Sequence, residues 1–253
     1  MKKCIVLFLV WMFAMPLVGC AENAVLEESR IYQVESDIHS MEIRVGAADF
    51  VIVYADTFSV ESNLKYLSVT EEDGVLKIID KKTKGVTYDN PVLTLCVPTD
   101  VVFENVTIST GAAKLTTDAL SAKWLKLQLG AGDVSISRLT ALSGADIEGG
   151  AGRIDIAGGT INNLELEMGI GELNLTAALL GDNELTLGVG ESNLTLIGNR
   201  DDYRLAFEKG IGSITVDGKT VADFGSTGNG HNRVQLEGGV GAINIRFYEA
   251  ESL

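Results

Sequence analysis

The sequence predicts an all-β chain wound into a single β-solenoid, a β-helix or roll of about eight Gly-x-Gly rungs with N-terminal capping strands. Three observations predict it. Apolar and polar residues alternate with period two through most of the chain, as in Leu125, Leu127 and Leu129 or Leu164, Leu166 and Met168. A Gly-x-(Gly/Ala) step interrupts this alternation eight times, and between Gly111 and Gly210 it recurs every 19 to 22 residues. Fixed-period self-similarity of that length is the mark of repeats that stack on their neighbours around one continuous core.

The first glycines of the steps are Gly46, Gly111, Gly130, Gly150, Gly169, Gly188, Gly210 and Gly239. The second positions are Ala48, Ala113, Gly132, Gly152, Gly171, Gly190, Gly212 and Gly241. Between them stands a small or branched apolar residue: Ala47, Ala112, Ala131, Ala151, Ile170, Val189, Ile211 or Val240. Strand side chains alternate faces, so Leu125, Leu127, Leu129 and Ala131 share one face, as do Leu164, Leu166, Met168 and Ile170. Past the step the inward parity resumes three residues on, at Val134, Leu173, Ile214 and Ile243. One residue is therefore inserted, the count of a β-bulge or corner. The second glycine is read as the bend residue, because glycine tolerates positive φ, and the first as a bare spot on the outer face.

A rung of 19 residues traces a perimeter of at most roughly 65 Å, enough for two or three short strands per turn. Eight rungs at about 4.8 Å each make a rod roughly 40 Å long. A helical reading fails locally, because glycines this frequent would each cost a helix about 1 kcal/mol.

From the N-terminus, Lys2 and Lys3 precede an uncharged apolar run from Cys4 to Gly19, 16 residues long. That is shorter than the roughly 20 residues a spanning helix needs, and it reads as a signal peptide over residues 1–19. The run ends in Leu17-Val18-Gly19-Cys20, which resembles the bacterial lipobox. The resemblance implies lipidation of Cys20 and attachment to a membrane through acyl chains. Residues 20–32, the lipidated cysteine and the unpatterned AENAVLEESRIY stretch, read as a tether, and residues 33–253 as the solenoid domain.

Gly46 and Gly111 are 65 residues apart, too far for one rung. The strand-like runs between them at Phe50–Tyr54, Val75–Ile79 and Val92–Val97 read as hairpin additions that cap the N-terminal end, with lysines, Pro91 and Pro98 protecting the open edge. The Gly-rich stretch from Asp217 to Asn232 reads as a solvent-facing insertion and a candidate recognition loop.

Removing residues 1–19 takes away two lysines and no acid, moving the formal charge from -15 to -17. Such a surface repels nucleic acid and anionic lipid, so no nucleic-acid partner is expected. Cys96 is the one cysteine left for the mature domain, so no intrachain disulfide is available, and its apolar strand reads as burying it. His39 and His231 are the only histidines, too few for a paired-histidine metal motif. The Gly-x-Gly steps lead into strands, whereas phosphate cradling by a glycine fingerprint needs a helix N-terminus. Gly218-Lys219-Thr220 imitates the tail of a P-loop but has Ser213 where its first glycine should be. No catalysis and no cofactor are expected.

Segments such as Leu125-Lys-Leu-Gln-Leu-Gly-Ala-Gly-Asp-Val-Ser-Ile-Ser137 and Leu164-Glu-Leu-Glu-Met-Gly-Ile-Gly-Glu-Leu-Asn-Leu-Thr176 resemble the repeat unit of the bacterial toast-rack family, also called the putative adhesin family, over roughly Met41 to Phe247. The resemblance implies a β-solenoid exposed in the bacterial envelope, with no motif residues to carry over as a catalytic site.

Stacking the rungs aligns charges. Asp146, Glu165 and Glu184 fall four residues before successive first glycines, and Glu148 and Glu167 two before, all outward by parity. This acidic strip is a candidate for calcium or for a basic partner, and otherwise a solvated face. Lys114, Asp133, Arg153 and Glu172 alternate in sign beyond the bend and form a predicted ion ladder. The functional expectation is a lipid-anchored, non-catalytic binding or adhesion-like module that meets an envelope protein, a glycan or a host surface. The alternative is a structural or stress-sensing protein that self-associates through its solenoid.

Overall fold

The computed structural model describes residues 22–24, 28–82 and 86–249, so the signal segment and Cys20 lie outside the described residues. The alternation in the sequence becomes an alternation in burial. Leu125, Leu127 and Leu129 are buried between half-buried or exposed neighbours, and beyond the corner Val134 and Ile136 take up the inward positions. Successive coils pair in parallel: Leu127 registers with Ile147, Ile147 with Leu166 and Leu166 with Leu185. Ile43, Ile108 and Leu236 extend this column, and all seven of these residues are at most 1% exposed. Burying each such side chain contributes about 1.5–3 kcal/mol relative to leaving it in water, so the column is the spine of the fold. It belongs to one continuous apolar cluster running from Ile38 to Ile245.

Each coil has three faces. In the Gly150 coil, residues 139–141 register with 120–122 and 159–161, residues 145–149 with Leu164–Met168, and residues 153–156 with Glu172–Leu175. The Gly-x-Gly step is the corner between the second face and the third. Asn163, in a positive-φ conformation of 47°, helps turn the corner between the first face and the second, where its side chain donates to the Ser143 carbonyl and accepts from the Asp182 amide.

Among the described residues nine coils stack, one more than the eight steps. The extra coil is residues 75–97, whose strands Val75–Asp80 and Val92–Val97 lie parallel to Ser40–Val45 and Asp49–Tyr54. It carries no Gly-x-Gly step, because a longer connection replaces the tight corner. Stack order then departs from chain order at both ends. The Gly46 coil lies between the 75–97 coil and the Gly111 coil. At the other end the Gly239 coil inserts between the Gly188 and Gly210 coils, so Val189 registers with Val240 and Val240 with Ile211. The sequence reading placed every step beside its neighbour in the chain; the Gly210 coil, at the end of the stack, corrects it. Its partner could be chosen only by tertiary packing, since the Gly188 corner fits the Gly210 and Gly239 corners alike.

Both ends are finished by antiparallel strands, which blunts the open edge of a parallel stack. Leu67–Glu72 covers Val75–Asp80, and Ser59–Ser62 with Arg30–Gln33 covers Val92–Val97. At the C-terminal end Phe224–Thr227 pairs with Leu205–Glu208, and Lys219–Thr220 with Thr215–Val216. The insertion expected as a free recognition loop is thus the C-terminal cap. The short strand Glu22–Ala24, and Arg30–Gln33 up to residue 32, also fall within the stretch expected as a tether. Tyr203 plugs the core at this end, its hydroxyl donating to the Ile197 carbonyl at 2.7 Å and accepting from the Leu179 amide at 3.3 Å. Burial raises the pKa of this phenol.

Candidate functional surface

The corner takes more residues than parity counting allowed. Between inward Met168 and inward Leu173 lie Gly169, Ile170, Gly171 and Glu172, none of them buried. The second glycines bend the chain: Gly132, Gly152, Gly171, Gly190, Gly212 and Gly241 have φ between 130° and 149°. They also stack so closely that a Cβ on Gly171 would sit 1.8 Å from the Gly152 carbonyl oxygen. The first glycines are not merely bare spots on an outer face. A Cβ on Gly111, Gly130, Gly150, Gly169, Gly188, Gly210 or Gly239 would come within 2.1–2.4 Å of a backbone oxygen of the stacked glycine, and one on Gly46 would meet the Lys82 side chain at 2.9 Å. Two glycine columns therefore run up the rod because the corner backbones nearly touch.

Between those columns the middle residues stand outside. This corrects the inward assignment of Ala131 and Ile170, which followed from extending strand parity into residues that already belong to the bend. Ile170 is 61% exposed, Val189 48%, Val240 46% and Ile211 76%. In stack order the ridge reads Ala47, Ala112, Ala131, Ala151, Ile170, Val189, Val240, Ile211. The half toward the N-terminal cap is alanine, and the half toward the C-terminal cap is β-branched.

Charge divides the same way. In the four outward positions flanking each corner, the Gly169, Gly188, Gly239 and Gly210 coils carry Glu165, Glu167, Glu172, Glu184, Glu191, Glu208 and Glu237 and no lysine or arginine. The four coils of the alanine half mix signs, with Arg44, Lys114, Lys126 and Arg153 among their acids. Register places Asp146, Glu165 and Glu184 in one column and Glu148 beside Glu167 in the next. Lys126 closes the N-terminal end of the strip, its Nζ bonding Asp146 and, at 2.9 Å, Glu148. The hydrogen bonds from Lys126 and then Gln128 hold the Glu148 carboxyl below its usual range, and those to Asp146 and Glu148 raise the Lys126 pKa. Among the described residues no three His, Cys, Asp or Glu side chains gather closely enough to hold a metal ion.

Of the predicted ion ladder, Asp133, Arg153 and Glu172 are register partners, with Lys114 directly before the Leu115–Val134 pair, and Arg153 bridges Glu172 at 3.0 Å. What the sequence reading missed is an amide ladder on the same face. Asn174 donates to Glu172 at 2.9 Å, Asn193 to Asn174 at 3.0 Å, Asn244 to Asn193 at 3.0 Å, and Thr215 to Asn244 at 2.9 Å. The recurrence of Asn three residues after Gly171, Gly190 and Gly241 was its readable signal. Cys96 also corrects its expectation: it occupies an outward position of its strand, half-buried, between inward Leu95 and Val97. His39, whose Nδ1 lies 3.1 Å from the Ser40 hydroxyl, and His231 sit near opposite ends of the stack. Among the described residues no helix is long and apolar enough to cross a membrane.

These features define a β-solenoid with a corner ridge on its flank. Residues 39–246 match the Toastrack DUF4097 family, and the chain belongs to that family. Among solved structures, similar chains include a putative adhesin from Bacteroides fragilis, at 14% identity and TM-score 0.48 over 86% of this chain and 95% of that one. Another is a putative adhesin from Parabacteroides merdae, at 14% and 0.42 over 87% and 95%. A third is a putative lipid binding protein from Parabacteroides distasonis, at 17% and 0.37 over 88% and 99%. No curated protein matches the chain.

Proposed function

We propose that the protein is a lipoprotein of the bacterial cell envelope, held at the outer side of a membrane by Cys20, whose solenoid is a non-catalytic binding module. The observation that carries this reading is the ridge. An extended column of apolar side chains, which costs free energy to hydrate, is kept outside a rigid rod whose own core is already continuous. The separation of His39 from His231 and the steps that lead into strands favour binding over catalysis. The Leu17-Val18-Gly19-Cys20 sequence supports the anchor. The partner is an envelope protein, a glycan or a host surface molecule, and the acidity of the flank weighs against nucleic acid. Self-association is the second reading; it would bring like-charged columns of two copies together, and the antiparallel caps weigh against end-to-end addition.

Metabolic labelling with an alkyne-bearing fatty acid in a bacterial host tests the anchor. The native chain should be labelled and sediment with membranes, while Cys20→Ala should be neither; an unlabelled native chain would contradict it. A photo-crosslinking residue at Val240 in the anchored protein tests the module, and should capture a partner where the same residue at Ala112 does not.

A further inference from the structure

The Ala131 and Ala151 corners share the positive-φ Gly-x-Gly backbone of the Ile/Val corners and differ from them in side chain, so the difference is available to function. In the half toward the C-terminal cap, Ile170, Val189, Val240 and Ile211 form an apolar file one coil apart. Phe224, 78% exposed, lies opposite Glu208, three residues before Ile211, and adds to the apolar surface at the end of that file. Seven carboxylates and no lysine or arginine occupy the four outward positions nearest each corner; Arg153 of the next coil bridges one of them, Glu172, and Arg204, Arg233 and Arg246 lie farther along the same strands. Lys209, beside this surface, is already paired with Asp223.

A second copy of the chain would set carboxylate against carboxylate, and an anionic bilayer would be repelled by the same groups. The surface matches a partner that is apolar along one line and positive beside it. Four coils at about 4.8 Å extend roughly 14 Å, close to the length of about ten helical residues. The pitch of an apolar helix stripe, about 5.4 Å per turn, is nearer to the coil spacing than the roughly 6.6 Å between same-face residues of a strand.

We propose that the Ile/Val half of the ridge, with its flanking glutamates, docks a cationic amphipathic helix. The helix lies along the file with its apolar stripe on Ile170, Val189, Val240 and Ile211 and its lysines or arginines over the carboxylates. This rests on the binding-module reading and supplies its partner class.

The test uses the full lipidated chain in nanodiscs of zwitterionic lipid, with protein-free nanodiscs as the blank. Three labelled peptides of about 18 residues are compared by fluorescence anisotropy: Leu and Lys with Leu in helical period, the same composition out of period, and Leu with Glu in helical period. The periodic Leu/Lys peptide should bind best, and its affinity should fall by about tenfold between about 50 and 500 mM salt. The Ile170→Ser, Ile211→Ser double variant should bind it about tenfold more weakly, while Ala112→Ser with Ala131→Ser should leave affinity unchanged. Glu167→Gln with Glu237→Gln should flatten the salt dependence. Equal binding of the out-of-period or the Glu peptide, or full affinity in the Ile double variant, would overturn the proposal. So would a chain that ignores all three peptides but captures anionic nanodiscs, or self-associates in sedimentation, through the same isoleucines. Those last results would leave the binding-module reading standing, and the fatty-acid labelling reports on the anchor whatever the peptides do.

Discussion

Four corners of the rod carry alanine and four carry isoleucine or valine, and six of them, including the Ala131 and Ala151 corners, share one backbone with paired glycines. On the alanine side lysines and arginines offset the acids, and Lys126 ties two of them down; on the Ile/Val side the positions nearest the corners supply no such cation, and only Glu172, at the boundary, is bridged by Arg153 from the next coil. The backbone needs glycine before each middle residue, and after it at the six corners that bend through positive φ, Ala48 and Ala113 standing at the other two; it places no demand on the middle residue beyond being able to stand in solvent. What the fold leaves free is therefore where the two halves diverge, and that divergence is the best pointer to the working surface.

The comparison breaks first if the corners are not the rigid element. Gly171→Ala, with its Cβ 1.8 Å from a stacked carbonyl and φ at 144°, should destabilise by about 3 kcal/mol or more in urea unfolding. A loss under about 1 kcal/mol would mean that the glycine columns do not set the stack. Tyr203→Phe, which strips the buried phenol of bonds to Ile197 and Leu179 at the plugged end, should cost about 1–2 kcal/mol. Asn193→Ala, cutting the amide ladder in its middle, should cost about 1 kcal/mol.

The smallest effects sharpen the contrast between halves. Ile170→Ser should leave stability within about 0.5 kcal/mol, since the side chain packs in no core. Lys126→Met should lower stability slightly at neutral pH. The lowered Glu148 pKa makes its contribution present above the ordinary carboxylate range and lost as pH falls through the depressed folded value. The raised Lys126 pKa makes its contribution present below the ordinary lysine value and lost as pH rises through the raised folded value. The variant and the native chain should therefore converge in acid. Glu184→Gln, in the half without that lysine, should instead stabilise slightly at low salt, because it removes a like-charge neighbour of Glu165. Chemical denaturation across pH and salt measures both.

The period, the corners and the aligned acidic columns were legible in the sequence because each depends on spacing alone. The 75–97 coil was hidden because it has no glycine step, its turn being built from a longer connection. The exchange of the last two coils was hidden because the Gly188 corner fits either neighbour, and the choice depends on how Asp217–Asn232 folds back as a cap. The outward turn of Ile170 was misread because parity holds only along a strand, and the corner begins at Gly169. Cys96 was misread because apolar neighbours on both sides do not fix which face an alternate residue takes.

Disulfide trapping tests the ridge and its order together, because parallel neighbours about 4.8 Å apart lie within bridging reach and residues two coils apart do not. In a Cys96→Ser background, Val189→Cys with Val240→Cys and Val240→Cys with Ile211→Cys should each crosslink within one chain, while Val189→Cys with Ile211→Cys should not. Efficient crosslinking of the Val189 and Ile211 positions, with none between Val189 and Val240, would put the coils in chain order and dismantle the file on which the docking surface stands.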